Sequence, residues 1–241
     1  MSELPSGVVT FLFTDIEGST RLVKALRERY PQVLAEHRRL VRAAIASHGG
    51  HEVDTQGDAF FVAFAGAKQA VLCALEIQRA LAGHEWPAGA PVRVRIGIHT
   101  GNAVPAGDGY TGLAVHRSAR ICGAAHGGQV LVSQATQTII EDEEEAPGFA
   151  LLDLGERTLK DLDRPVRLFQ LAAPGLDPPD PPAATPPGPR ATGDVPPAAP
   201  ASPATRPGGR PGPGRCWRGL FRCRPRRWWA GSGRPRRWKA L

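Results

Sequence analysis

The 241 residues carry 24 prolines and a formal net charge of +7, and both features are unevenly spread. Residues 175–241 hold 16 of the prolines, four of the five tryptophans and 13 Lys/Arg against 3 Asp/Glu, which leaves 17 basic against 20 acidic residues in 1–174. The positive charge therefore belongs to the tail, and the N-terminal part has no charge of its own that seeks nucleic acid. The longest apolar stretches, such as residues 59–65, fall far short of the ~20 residues that span a bilayer. The N-terminus lacks the basic-then-apolar pattern of a secretory signal. Four cysteines without metal-like spacing make a reduced, cytoplasmic setting the expectation.

In chain order, residues 8–13 are a run of β-formers long enough for a strand buried on both faces, stopping at Thr14. Leu22, Leu26, Val33, Leu34, Leu40, Val41 and Ile45 then recur at helical spacing, with Ser19 or Thr20 as the cap and Pro31 kinking or dividing the helix. Residues 51–55 and 59–64 form a hairpin around Gln56-Gly57-Asp58. A helix over 67–81 turns Val71, Leu75 and Ile77 inward. Residues 92–99 alternate apolar and basic, as in a strand with one buried face. A helix over 112–122, a strand over 129–133, a short helix over 133–140 and a strand pair at 149–154 and 166–171 follow, with 142–145 as a solvated loop. This order predicts an α+β fold, an antiparallel-rich sheet covered by helices.

Two segments carry chemistry. A buried strand delivers Asp15 to its carboxyl end, just before Gly18-Ser19-Thr20 opens a helix whose free N–H groups suit phosphate. Asp58 stands at the hairpin tip. If the first strand lies beside that hairpin, the two carboxylates converge at one end of the sheet, the arrangement that holds two Mg²⁺ around a triphosphate.

The motifs Phe11-Leu12-Phe13-Thr14-Asp15-Ile16-Glu17-Gly18-Ser19-Thr20, Thr55-Gln56-Gly57-Asp58-Ala59-Phe60-Phe61 and Arg95-Ile96-Gly97-Ile98-His99-Thr100-Gly101 strongly resemble class III adenylate/guanylate cyclases. So do 112–120, 128–133 and 159–171, so the resemblance covers about residues 7–172. It implies a ferredoxin-like domain working as a head-to-tail homodimer on ATP or GTP, with Mg²⁺ or Mn²⁺ as two bound ions. By position, Asp15, the Ile16 carbonyl and Asp58 would bind metal. Gly18, Ser19, Thr20 and Lys160 would hold the triphosphate. Arg120, supplied by the partner subunit, would stabilise transition-state charge.

Three positions depart from the family's pattern. Asp54 stands where adenylate cyclases carry a base-reading lysine, Gly109 where they carry a base-reading aspartate, and His116 where an asparagine orients the ribose. His116 lies four residues before Arg120, so both share one helix face. A carboxylate only accepts hydrogen bonds, so Asp54 leans towards guanine, whose Watson–Crick edge offers two adjacent donors. Two readings stay open: an active purine nucleotide cyclase, or a degenerate cyclase domain that binds nucleotide or dimerises. The first catalytic strand begins by residue 8, so control is expected through dimerisation, the tail or a separate partner. Residues 175–241 are expected to be a disordered Pro/Ala/Gly-rich linker followed by an Arg/Trp-rich segment. Its basic and aromatic residues could meet nucleic acid or an anionic surface, but a non-selected extension is the preferred reading.

Overall fold

The computed structural model describes residues 4–87, 90–107, 109–142 and 148–176. The tail beyond 176, with Cys216 and Cys223, and most of the acidic loop expected at 142–145 lie outside the described residues. β1 (Val8–Ile16) is the long apolar run, and it continues three residues past the expected end to include Thr14, Asp15 and Ile16. β2 (His51–Gln56) and β3 (Ala59–Phe64) form the hairpin, and β4 (Val94–Asn102) follows α3 (Ala67–Ala82). After β5 (Val104–Ala106) and β6 (Gly109–Thr111) come α4 (Leu113–Ala124), β7 (Val130–Ser133), α5 (Gln134–Glu141), β8 (Ala150–Arg157) and β9 (Val166–Ala172). The seven-stranded sheet runs β2-β3-β1-β4-β7-β9-β8, with β5 and β6 as a separate small hairpin. Among the described strands only β4 and β7 pair in parallel, joined through α4. The fold is α+β, as expected.

One sheet face packs on the helices before and after the hairpin, through Leu12, Val62, Ile96 and Ile98 against Val41, Val71, Ala74 and Ile77. Pro31 divides the first helical stretch: α1 (Ser19–Leu26), a 3-10 turn at Arg27–Arg29, then α2 (Tyr30–Ser47) with the proline in its first turn. Proline is harmless there because the first-turn N–H groups have no intrahelical acceptor. The expected cap is corrected. Gly18, in the left-handed conformation, occupies the N-cap of α1, and Ser19 and Thr20 are already helical with no capping side-chain bond. A left-handed N-cap turns the chain sharply out of β1, and glycine adopts it without Cβ strain.

β4 also departs from expectation. Val92 and Arg93 precede the strand, and beyond Arg95 both faces are covered, with Gly97 and His99 buried under α4. A Cβ on Gly97 would stand 2.1 Å from the Cys122 nitrogen and 2.5 Å from its Cα, so the helix backbone rests directly on the strand. Ser118 secures this contact, its hydroxyl donating to the carbonyls of Phe11 (2.8 Å) and Gly97 (3.2 Å).

Two histidines are sealed into the fold. His37 on α2 is 0 % exposed, and neither ring nitrogen has a hydrogen-bond partner among the described residues; His99 is 4 % exposed, with Nδ1 on Ser133 Oγ at 2.8 Å. Burial above all pushes each imidazole down, from the ordinary 6.5 to about 4. Each folded ring thus holds its proton less tightly than the unfolded one. The unfolded chain binds more protons between pH 4 and 6.5, and stability is lost as pH falls through that window, by roughly 3 kcal/mol per histidine at most. Melting temperature followed from pH 7 to pH 4 should fall steeply, and replacing His37 by Leu should flatten the curve; an unchanged slope would contradict this account.

Candidate active site

The ladder between β1 and β3 ends at Thr14 and Phe60. One step further the Ile16 amide, with no β3 residue opposite, donates instead to Asp58 Oδ2 at 3.2 Å. The hairpin carboxylate thereby docks on the end of β1 beside Asp15, the convergence expected if the first strand lies beside the hairpin, as it does. Arg95, directly across from Asp15 in β4, donates to Asp15 Oδ2 from Nε at 3.0 Å and from a second guanidinium nitrogen. Burial pushes the Asp15 carboxyl above its usual value, Arg95 pulls it back by hydrogen bond and charge, and the neighbouring Asp58 adds to the rise. The Tyr30 phenol is also pushed up, by burial first and then by the Asp58 charge. Gly18, Ser19 and Thr20 follow at once, so the start of α1 opens next to the two carboxylates.

Asp54 reaches the site face through a register break. Pairing runs Glu52 to Val62 and then Asp54 to Phe61, so Val53 is bulged. Without that extra residue Asp54 would fall on the α2 side of the sheet; with it, Asp54 shares the face of Phe61, Phe13 and Asp15. Its carboxylate accepts from the Thr55 amide (2.8 Å) and from Gln56 Nε2 (3.0 Å). Gly109 lies beside it: a Cβ there would meet Val53 Cγ1 at 3.3 Å. The two candidate base-reading positions are therefore neighbours, although they are far apart in sequence.

His116 and Arg120 both lie in α4, and Lys160 is exposed in the turn after β8. Buried Leu159 packs that turn against Ile121 of α4 and Ala125 just after it. Arg120 consequently donates to Asp161 Oδ2 at 2.6 Å, an ion pair with side chains 41 % and 59 % exposed. The chain so presents two groups of candidate residues. Asp15, Ile16, Asp58 and the start of α1 form one; Arg120 and Lys160 share the other, with His116 one turn along the helix. No described contact joins Arg120 to Asp15 or Asp58.

Sequence reasoning missed Arg95 and the α2 residues around the carboxylates. Arg95 was read as a solvent-side strand residue, and only the strand register puts it opposite Asp15. His37 had a usable signal, since it sits midway in the Val33–Val41 stripe at i+4 spacing, but a polar ring on an apolar face is easily passed over.

Residues 2–172 match the family model described as the adenylate and guanylate cyclase catalytic domain. The chain belongs to that family. An uncharacterized protein of Mycobacterium tuberculosis H37Rv is 37 % identical to the cyclase-family chain over 183 residues, covering 75 % of this chain and 61 % of that protein. A receptor-type adenylate cyclase B of Leishmania donovani is 33 % identical over 210 residues, covering 69 % of this chain and 16 % of that one. Among solved structures, an adenylate cyclase of Trypanosoma brucei analysed in its monomeric state superposes with a TM-score of 0.65 at 30 % identity, over 73 % of this chain and 94 % of that one. The cyclase-family chain thus spans less than two thirds of the length of these curated relatives. Among its described residues no helix is long and apolar enough to cross a membrane.

The carboxylate site of this cyclase-family domain suits a divalent cation in one particular way. No group of three or more His, Cys, Asp or Glu among the described residues could cage a metal alone. Two carboxylates and a carbonyl are instead the hard, incomplete ligand set that Mg²⁺ completes with water and substrate phosphates. The push of the Asp58 charge on the Asp15 carboxyl is what such a cation relieves.

Proposed function

We propose that this chain is a divalent-metal-dependent purine nucleotide cyclase, forming a 3′,5′-cyclic monophosphate and pyrophosphate from ATP or GTP. The docking of Asp58 on the end of β1 beside Asp15 carries the proposal. Asp15, Asp58 and the Ile16 carbonyl would hold two Mg²⁺ or Mn²⁺ ions. Bound there, the ions would acidify the ribose 3′-hydroxyl and neutralise triphosphate charge. The free amides at Gly18, Ser19 and Thr20 take phosphate oxygens. Arg95, which pairs with Asp15 in the free chain, would be released by bound cations to take a phosphate oxygen. The 3′-oxygen attacks the α-phosphorus as its proton passes to solvent water, and the bond from the α-phosphorus to the pyrophosphate oxygen breaks, releasing pyrophosphate.

A protomer that keeps Arg120 on its own Asp161 supports a composite site. In a head-to-tail homodimer, Arg120 of the partner subunit stabilises the charge developing on the α-phosphate, and Lys160 of the partner subunit grips the triphosphate. An exposed ion pair is worth at most about 1 kcal/mol, so a triphosphate displaces Asp161 readily. His116 of the partner subunit stands one helical turn from Arg120 and donates to the ribose in place of an asparagine.

Asp54 is the base reader, biased to guanine. Replacing Asp54 by Asn should lower kcat/KM for GTP roughly tenfold, the worth of one charge-assisted hydrogen bond, and leave ATP within about twofold. Equal losses with both nucleotides would remove Asp54 from base selection. The second reading, a nucleotide-binding or dimerising module, draws on Gly109, which offers the base no side chain, and on the hydrogen bonds Asp54 already makes within β2. Cyclase assays of the full chain with each nucleotide, in Mg²⁺ and in Mn²⁺, separate the two. Cyclic product supports the enzyme, and none at high protein concentration leaves the binding module.

A further inference from the structure

We propose that Arg38 is a positioning residue that fixes Asp58 by gripping the hairpin tip beside it. The inference rests on the reading of Asp15 and Asp58 as the metal carboxylates. Arg38 lies on α2, and its guanidinium donates twice to the Gly57 carbonyl, from Nε at 3.1 Å and from a terminal nitrogen at 2.5 Å. Hairpin tips are ordinarily the loosest part of a sheet edge. Here the tip has two anchors on either side of Asp58: Arg38 on the preceding carbonyl, and the Ile16 amide on the carboxylate itself.

The anchor is rigid because α2 cannot roll. Val33, His37, Val41, Ala44 and Ile45 are all buried, and the fully buried His37 immediately precedes Arg38 in the chain. The choice of acceptor is informative. A surface arginine with a free choice takes a carboxylate, as Arg39 does with Glu36 and Arg42 with Glu52. Among the described residues Arg38 forms no ion pair, and it spends two donors on a neutral main-chain oxygen next to an acid. That geometry orients Asp58 without occupying its carboxylate oxygens, which stay open to a cation. Arg95 does the opposite at Asp15, binding the carboxylate directly. The two arginines thus divide the work: one sets where a carboxylate stands, the other neutralises its partner until substrate arrives.

The test uses the full chain with Arg38→Met, which keeps the apolar stem and loses the donors, and Arg38→Lys, which keeps one charged donor. Hydrogen exchange of the Ile16 amide reports whether Asp58 stays docked, with Asp58→Asn as reference and the Ile96 amide as control. Binding of Mn²⁺, followed by electron paramagnetic resonance, reports the metal site. Arg38→Met should speed Ile16 exchange about tenfold with Ile96 unchanged, and weaken Mn²⁺ binding by a similar factor; Arg38→Lys should fall between it and wild type. Ile16 exchange and Mn²⁺ binding both within twofold of wild type would overturn the proposal, as would equal acceleration at Ile16 and Ile96, which marks general destabilisation. If wild type binds no Mn²⁺, the metal reading and the role assigned to Arg38 fall together. If wild type binds Mn²⁺ and Arg38→Met binds it equally well, only the role of Arg38 falls.

Discussion

Replacing Asp15 by Ala should abolish cyclic nucleotide formation, lowering kcat by about a thousandfold or more while the protein stays folded. A metal site contributes several kcal/mol of charge stabilisation to such a reaction, and each 1.36 kcal/mol is a factor of ten. No other carboxylate can take over, since among the described residues no third ligand completes a cage. The substitution also leaves Arg95 without its carboxylate, next to the proposed phosphate site. Stability should hardly suffer. The raised pKa of Asp15 means that its charged form is disfavoured in the fold, chiefly by burial. A melting temperature within a few degrees of wild type, together with lost activity in Mg²⁺ and in Mn²⁺, locates the defect in chemistry. Residual activity above about a tenth of wild type would sink the assignment of Asp15 as a metal ligand.

The largest effect on stability is expected from Gly97→Val. A side chain there meets the nitrogen, Cα and Cβ of Cys122 at 2.1, 2.5 and 2.8 Å. These atoms belong to or adjoin the backbone of α4, so no rotamer change relieves the clash and the helix itself must move. Overpacking costs typically 1–3 kcal/mol where side chains can yield. Here the helix would also drag Ser118 from the carbonyls of Phe11 and Gly97. A loss of about 4 kcal/mol, or roughly 8–16 °C in melting temperature for a domain of this size, is the expected result. Activity should fall even below the melting point, because α4 carries His116 and Arg120. Calorimetry beside the cyclase assay checks both; a melting temperature within 2 °C of wild type would show that α4 is not held as described.

The core of this fold was legible because its signals are local. An unbroken apolar run marks β1, Gly57-Asp58 between two β-rich runs marks the hairpin, and Asp15 followed by Gly18 marks a strand handing over to a helix. Pro31 likewise divides the helix where its missing N–H says it should. What stayed hidden depends on partners distant in sequence. The alternation of Val94, Arg95 and Ile96 suggests a solvent face, yet Gly97 carries that face under α4 and Arg95 is tied to Asp15. The bulge at Val53 has no sequence signature, although it decides which side of the sheet Asp54 faces. β5 and β6 are three residues each and contain Pro105 and Gly109, too short and too irregular for any periodicity. Arg38 carries no signal of its role in the sequence, because its partner is a main-chain carbonyl that no residue type announces.

The placement of β1 also governs how the chain matures on the ribosome. Its two neighbours in the sheet are β3 and β4, and the Arg95 that faces Asp15 comes 80 residues later. At 5–20 residues per second, that gap corresponds to roughly 4–16 s of translation. Throughout it, a strand reading Val-Val-Thr-Phe-Leu-Phe has at best one edge paired. Such a segment, apolar and without proline or charge, is what invites intermolecular pairing in a nascent chain. The strand that brings Asp15 to the site is therefore also the one most in need of a chaperone's cover until β4 emerges.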